Sequence, residues 1–399
     1  MNMNKGVTYP KGFRAAGAAC GLKKNGNPDV ALVVADGLCT AAGIFTRNVV
    51  KGHSLQLTQR HVKAGQARAV VINSGCANAC LGNEGDADAL KMAQIAAGAA
   101  GCTAEEVLTG STGVIGVRLD MAKLEKGILA AAAGLSPDGS DSAARAIMTT
   151  DTMDKQAGAC VMISGAEVRI GGMCKGSGMI HPDMATMIAV LTTDAAISAE
   201  ALDLSLRQAA NVSFNRVSVD GDTSVCDMAV ILASGLAGNA PIQPGTAEYE
   251  AFTAALSQAC HRMARMLAAD GEGATKLVEV RANGLPTAND ALKVVQAVAK
   301  SPLVKTAAFG CDTNWGRILT AAGYSGAAFD PMLVDVYIGE VQVCAGGRAL
   351  AFDEDAALAE LKKPEVLFRM EFNQGGCSDF MLACDLTYDY VKINGSYRT

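Results

Sequence analysis

The sequence predicts an α+β fold in which sheets and helices form layers. Three observations carry this expectation. Short strand-like runs alternate with alanine-rich stretches whose apolar residues fall three and four apart. Several strand-like runs follow one another directly, which a strictly alternating doubly wound sheet would not give. The C-terminal part is again rich in strand-like runs.

In chain order, "DVALVVAD" and "RAVVINSG" read as buried strands, being short, apolar and rich in valine and isoleucine. "GDADALKMAQIAAGAA" and "LDMAKLEKGILAAAAGL" read as helices from their apolar spacing. "GACVMISG", "EVRIGG" and "TMIAVLTTD" return to strands. "SAEALDLSLRQAANV" and "TAEYEAFTAALSQACHRMARMLAADG" are helices, the second stopped by a glycine. From "TKLVEVRANG" the order is strand, helix ("NDALKVVQAVAK"), then a strand-rich tail from "LVDVYIGEVQV" to "LTYDYVKING". No linker stands out, and repeats and low-complexity tracts are absent. The boundary is expected near Lys276, after the long helix and the "DGEGATK" loop. It separates a main α+β domain, 1–275, from a smaller C-terminal α/β domain, 276–399.

Half of the 399 residues are apolar and 19% are charged, which suits a well-buried enzyme of two or three domains. The 43 glycines follow no collagen period and point to tight turns and close backbone approaches. A formal charge of -6 offers nothing to nucleic acid or to an anionic membrane. No apolar run approaches the ~20 residues of a membrane span, and the start lacks the apolar stretch of a signal peptide. The 13 cysteines are odd in number and mostly scattered through apolar surroundings, so reduced, buried thiols are expected. Neither the cysteines nor the four histidines fall at metal-site spacing. The expectation is a cytoplasmic protein with no metal and no cofactor.

Several site types are missing. There is no G-x-x-x-x-G-K-[ST], so "DGEGATK" is not a phosphate loop, and there is no G-x-S-x-G elbow or H-E-x-x-H. What remains is "KGSGMIHPDMATMIAVLTTD", in which a glycine-rich lead runs into Ala185 and Thr186 just before an apolar strand. Thr186 reads either as an ordinary strand residue or as a nucleophile that the chain frees by cutting itself. A threonine hydroxyl is a weak nucleophile until a base takes its proton. Cleavage of the Ala185–Thr186 bond would supply that base, because a free α-amino group has a pKa of ~7.7–8. Gly176, Gly178 and Ala185 leave room for the attack, and Pro182 stiffens the approach.

The wording of these motifs separates the readings. "KGSGMIHPDMATM" resembles the self-cleavage motif of the ornithine acetyltransferase (bifunctional glutamate N-acetyltransferase) family of arginine biosynthesis. The resemblance spans nearly the whole chain, through "FTRNVVKG", "INSGCANACLGNEG", "GSTGVIG", "MTTDT", "FNRVSVDGDTS", "DTNWGRILTAAGYSG" and "CDLTYDYVKINGSYRT". It implies a fold like that of N-terminal-nucleophile enzymes and a cut between Ala185 and Thr186. Thr186 then carries the acetyl group of N-acetylornithine as an ester and passes it to glutamate. The family's oxyanion hole falls on Thr112 and Gly113. Lys175 would hold a substrate carboxylate and Glu272 a substrate amine. Thr149 matches a substrate-binding threonine, with Thr150 and Thr152 as neighbouring alternatives. Asn394 and Thr399 match C-terminal substrate contacts.

The resemblance further implies an α2β2 assembly of cut chains and, in bifunctional members, acetyl-CoA as co-substrate. Asp222, Asp227, Trp315 and Arg317 are read as structural. Three positions depart from the family pattern: Asp183, Cys76 and Cys226. Two other functions compete. One is a self-cleaving aminopeptidase or amidase that passes the acyl group to water; the other is a binding protein without catalysis.

Overall fold

The computed structural model describes residues 6–181 and 187–396. Ala185, Thr186, Asp183 and Thr399 therefore lie outside the described residues. In chain order the strands are β1 (Phe13–Ala18), β2 (Val30–Phe45), β3 (Gln66–Cys76), β4 (Val107–Val114), β5 (Lys155–Ile163), β6 (Ala166–Lys175), β7 (Ile188–Thr193), β8 (Val217–Ser218), β9 (Met228–Ala233), β10 (Leu277–Leu285), β11 (Asp335–Ile338), β12 (Val341–Ala345), β13 (Arg348–Ala349), β14 (Glu365–Glu371) and β15 (Cys377–Cys384).

The described residues fall into two compact units. One is drawn from Met1–Asn215 and Asp222–Met263, the other from Arg216–Gly221 and Ala264–Tyr397. The division falls inside the helix Ala247–Ala269, upstream of Lys276, and the short strand β8 belongs to the second unit.

The first unit is built on one sheet of order β4-β3-β2-β9-β7-β6-β5, with β1 also paired to β2. The long strand β2 holds it together. Its first half pairs with β1 and β3, and its second half, beyond a register shift between Val34 and Cys39, pairs with β9. Alternation along β2 sorts its side chains to two faces. Val30, Leu32 and Val34 pack with Met92, Leu124 and Ile128 from the helices Gly82–Ala100 and Met121–Ala133. Ala31, Val33 and Ala35 pack with Ala143, Ala144 and Ile147 of the helix Ser140–Ile147. The layered α+β class expected from the sequence is thus the fold found.

Strands β7 and β9 run parallel, with Ile188 opposite Met228, and both are buried along their whole length. Their continuous apolar runs, "IAVLTT" and "MAVILA", are what a strand covered on both faces requires.

The second unit has a mixed sheet of order β13-β12-β11-β14-β10-β15-β8. Here Val278, Val280 and Ala282 of β10 share a core with Val294, Val295 and Val298 of the helix Ala288–Lys300. One expectation is corrected in this unit. The final "LTYDYVKING" is not a strand but leads into a helix, Tyr388–Ser396. Its aromatic and β-branched residues favour a strand locally, but the Thr387 hydroxyl accepts the Tyr390 backbone N–H and caps a first turn instead.

Candidate active site

The site in the first unit is assembled by sheet register at the start of β7. In the antiparallel β6–β7 pair, Lys175 lies opposite Ile188, two residues after Thr186 in the chain. The Lys175 side chain is buried, and its Nζ donates to Thr149 Oγ1 at 2.8 Å and to Thr112 Oγ1 at 3.5 Å. Three residues from separate sequence motifs therefore meet. Thr149 is the threonine of its motif whose hydroxyl reaches Lys175, while Thr152 is exposed.

Thr112 and Gly113 lie just before Val114, the last residue of β4, where parallel pairing sets Ser74 against Thr112 and Gly75 against Gly113. Gly113 has a φ of 130°, and a Cβ there would sit 2.4 Å from the Gly75 carbonyl carbon. Only glycine allows the two backbones to approach this closely. Beneath Thr112, the Ser111 hydroxyl donates to Asn73 Oδ1 at 2.6 Å and lies 2.7 Å from the Ser54 hydroxyl. This buried polar layer holds the end of β4 in place.

Behind Lys175 stands a buried ion pair that the sequence did not reveal. Lys155 Nζ lies 2.7 Å from Asp151 Oδ1, and both side chains are fully shielded from solvent. Asp151 also accepts the backbone N–H groups of Thr149 at 2.9 Å and Gly176 at 2.7 Å. Burial by itself would raise the Asp151 carboxyl, but the charges of Lys175 and Lys155 and these hydrogen bonds outweigh it. The net result holds Asp151 well below the usual carboxylate range. Lys23 is pulled down to about 8, chiefly by burial, with the Lys175 charge adding and Asp29 and Asp151 opposing. The signal that could have found the pair is the D-x-x-x-K spacing in "DTMDK" just ahead of a strand, although such spacing usually marks an exposed face.

The two cysteines that depart from the family pattern in this unit are buried and fit without strain. Cys76 donates its S–H to the Val117 carbonyl at 2.9 Å, and Cys226 donates to the Ala77 carbonyl at 3.5 Å. Burial pushes both thiols up, so neither is poised as a thiolate nucleophile.

In the second unit, Glu272 and Asn394 come together. Glu272 is 7% exposed, and its Oε2 accepts from Asn394 Nδ2 at 2.8 Å. The loop carrying Glu272 is fixed by Asp385, which accepts the backbone N–H groups of Thr275 and Lys276. Gly273, with a φ of 68°, lets it pass the terminal helix, since a Cβ there would lie 2.6 Å from the Tyr390 nitrogen. Trp315 packs against this unit's core, and Arg317 pairs with Asp312 at 3.3 Å. Among the described residues no group of three or more His, Cys, Asp or Glu could hold a metal ion. No described helix is long and apolar enough to cross a membrane.

Comparison with known proteins decides the family: the ArgJ family model matches residues 14–399. The chain belongs to the ArgJ family. It is 54% identical to the arginine biosynthesis bifunctional protein ArgJ of Symbiobacterium thermophilum, over 99% of this chain and 98% of that protein. With the ArgJ of Caldanaerobacter subterraneus the identity is 46%, over 98% of both chains. The crystal structure of the ArgJ of Bacillus halodurans matches with a TM-score of 0.50 and 41% identity. That match covers 52% of this chain and 97% of the solved one. This ArgJ-family chain is accordingly an acyltransferase of arginine biosynthesis, the activity its motifs imply.

Proposed function

We propose that this chain moves the acetyl group of N-acetylornithine to glutamate through an acetyl ester on Thr186, after cutting itself between Ala185 and Thr186. The observation that carries the proposal is the convergence of Thr112, Thr149 and Lys175 beside the strand that begins two residues after Thr186.

In the cut, the Thr186 hydroxyl attacks the Ala185 carbonyl and shifts the chain to an ester, and water then releases Ala185 as a carboxylate. The new α-amine takes the hydroxyl proton when Thr186 attacks the acetyl carbonyl. Thr112 and the Gly113 backbone N–H meet the developing oxyanion, which is typically among the largest catalytic terms. Collapse expels ornithine, whose amine takes up the proton. The neutral amine of glutamate then attacks the ester and leaves as N-acetylglutamate, restoring the hydroxyl. Lys175, with Thr149, holds the substrate carboxylate. Glu272, positioned by Asn394, holds the substrate amine, and Thr399 completes the C-terminal contacts.

Support for a two-chain enzyme also comes from the Bacillus halodurans comparison. A solved chain matched over 97% of itself by 52% of this one is what a relative made of two chains would give. We further propose an α2β2 assembly in the cytoplasm, and acetyl-CoA as an alternative donor, as the word "bifunctional" in the relatives' names suggests.

The test is glutamate-dependent release of ornithine from N-acetylornithine, run beside the Thr186→Ala protein. Equal turnover in both proteins would sink the assignment of Thr186. Release that ignores glutamate would favour an amidase.

A further inference from the structure

Asp227 begins the other flank of the site. In the sheet order β9-β7-β6, the start of β7 lies between Asp227 on the β9 side and Lys175 on the β6 side. The Met228 backbone N–H donates to the Met187 carbonyl at 3.0 Å, so Asp227 is beside the residue that directly follows Thr186. It is 1% exposed, and among the described residues neither carboxyl oxygen has a hydrogen-bond partner. The Thr46 hydroxyl, which also lowers the Asp227 carboxyl somewhat, donates to the Ser224 carbonyl at 3.0 Å. A buried carboxyl whose nearby donors fall short of hydrogen-bonding geometry is costly to ionise. Burial raises Asp227 well above the usual carboxylate range, and the opposing Lys175 charge, the Ser224 and Met187 backbone and Thr46 do not cancel that rise. The neighbouring Cys226 thiol is itself pushed up by burial and adds no charge at neutral pH.

The charges around Lys175 then do not balance. Lys155 is matched by Asp151 at 2.7 Å. Among the described residues Lys175 touches hydroxyls and has no carboxylate at ion-pair distance. We propose that Asp227 is a positioning residue for the acetyl transfer: in its neutral form it leaves the Lys175 ammonium uncompensated for the substrate carboxylate, and on ionising it competes with that carboxylate. The proposal rests on the reading of Lys175 as the carboxylate site. One buried amino-acid carboxylate would thus neutralise the cluster, and binding at alkaline pH would require Asp227 to take up a proton.

The experiment measures binding of δ-aminovalerate, an ornithine lacking the α-amino group and so unable to accept acetyl, against pH in the wild-type protein and in Asp227→Asn. The wild-type Kd is expected to climb on the alkaline side by on the order of tenfold as a second negative charge appears. The Asn variant is expected to lose most of that climb, keeping only the weaker alkaline dependence that Lys23, held at about 8 and within the field of Lys175, gives to both proteins. The KM for N-acetylornithine is expected to follow the same two patterns. A merely structural role for Asp227 would shift binding equally at every pH. An alkaline climb of undiminished size in Asp227→Asn overturns the proposal. If that variant does not fold, calorimetry of the wild type in buffers of different ionisation enthalpy decides instead. Proton uptake on binding that grows with pH and persists in Lys23→Met, where the lysine near 8 is gone, supports the proposal, and none contradicts it. Failure of the wild type to bind the probe at any pH removes Lys175 as the carboxylate site, and the proposal with it. Turnover of N-acetylornithine by the same preparation keeps that failure separate from failure of the assigned reaction.

Discussion

Asp151 and Asp227 are both buried and both feel the Lys175 charge, yet they stand in opposite surroundings. Asp151 has a lysine at 2.7 Å and two backbone N–H groups on its oxygens. Asp227 has no such partner among the described residues. The first region uses its carboxylate to hold the backbone at Thr149 and at Gly176, just past the end of β6. The second keeps a carboxyl that its surroundings would rather see neutral. Stability and function are therefore expected to separate between them: the Asp151 region should be the costlier to disturb, and Asp227 should be a site where stability is given up.

The largest effect is expected from Lys155→Met. Removing one partner of a buried ion pair typically costs ~3–5 kcal/mol, because the other charge stays buried. Urea denaturation of the cut protein should show a loss of that order; a loss below 1 kcal/mol would mean that Lys175 alone satisfies Asp151. Next comes the acid limb. The folded Asp151 titrates below its unfolded value of ~3.9. Its contribution is therefore complete above that pH and is lost as pH falls through the folded value. Asp151→Asn should be less stable than wild type at neutral pH, and the gap should narrow on acidification below about pH 4.

Asp227 carries the opposite sign. Its folded value lies above the unfolded one, so its contribution is complete below about pH 4 and is lost as pH rises toward and through the folded value. Asp227→Asn is expected to be more stable than wild type at neutral pH, by ~1.4 kcal/mol for each pH unit between the unfolded value and the lower of the folded value and the working pH, less whatever its buried amide loses. A destabilised Asn variant would erase the contrast between the two carboxyls. The smallest effect belongs to the second unit. Asn394→Ala removes one hydrogen bond, to Glu272, from an exposed side chain on the terminal helix. It should cost ~1 kcal/mol or less in stability and raise the KM for N-acetylornithine a few-fold.

Much of this arrangement was legible in the sequence. The strands β7 (Ile188–Thr193) and β3 (Gln66–Cys76) and the helix Ala288–Lys300 stand where the sequence pattern puts them. The motif residues Thr112, Thr149 and Lys175 meet as a cluster, as do Glu272 and Asn394. What the sequence hid is long-range or cooperative. Asp151 and Lys155 look like an exposed i,i+4 pair until the sheet buries them. Asp227 looks like a strand-end residue until parallel pairing sets it beside Met187. The helix Tyr388–Ser396 competes with a strand pattern of comparable local strength, and a cap at Thr387 tips it. The compact units divide within a long helix, which no change of composition marks.

The most direct test of Thr186 as the self-freed nucleophile is the mass of the purified protein under denaturing conditions, before and after exposure to N-acetylornithine without glutamate. Two chains that meet between Ala185 and Thr186 are expected, with an acetyl-sized increment on the one that begins with Thr186. A single uncut chain that still transfers acetyl groups at full rate, or an increment on another residue, would contradict it.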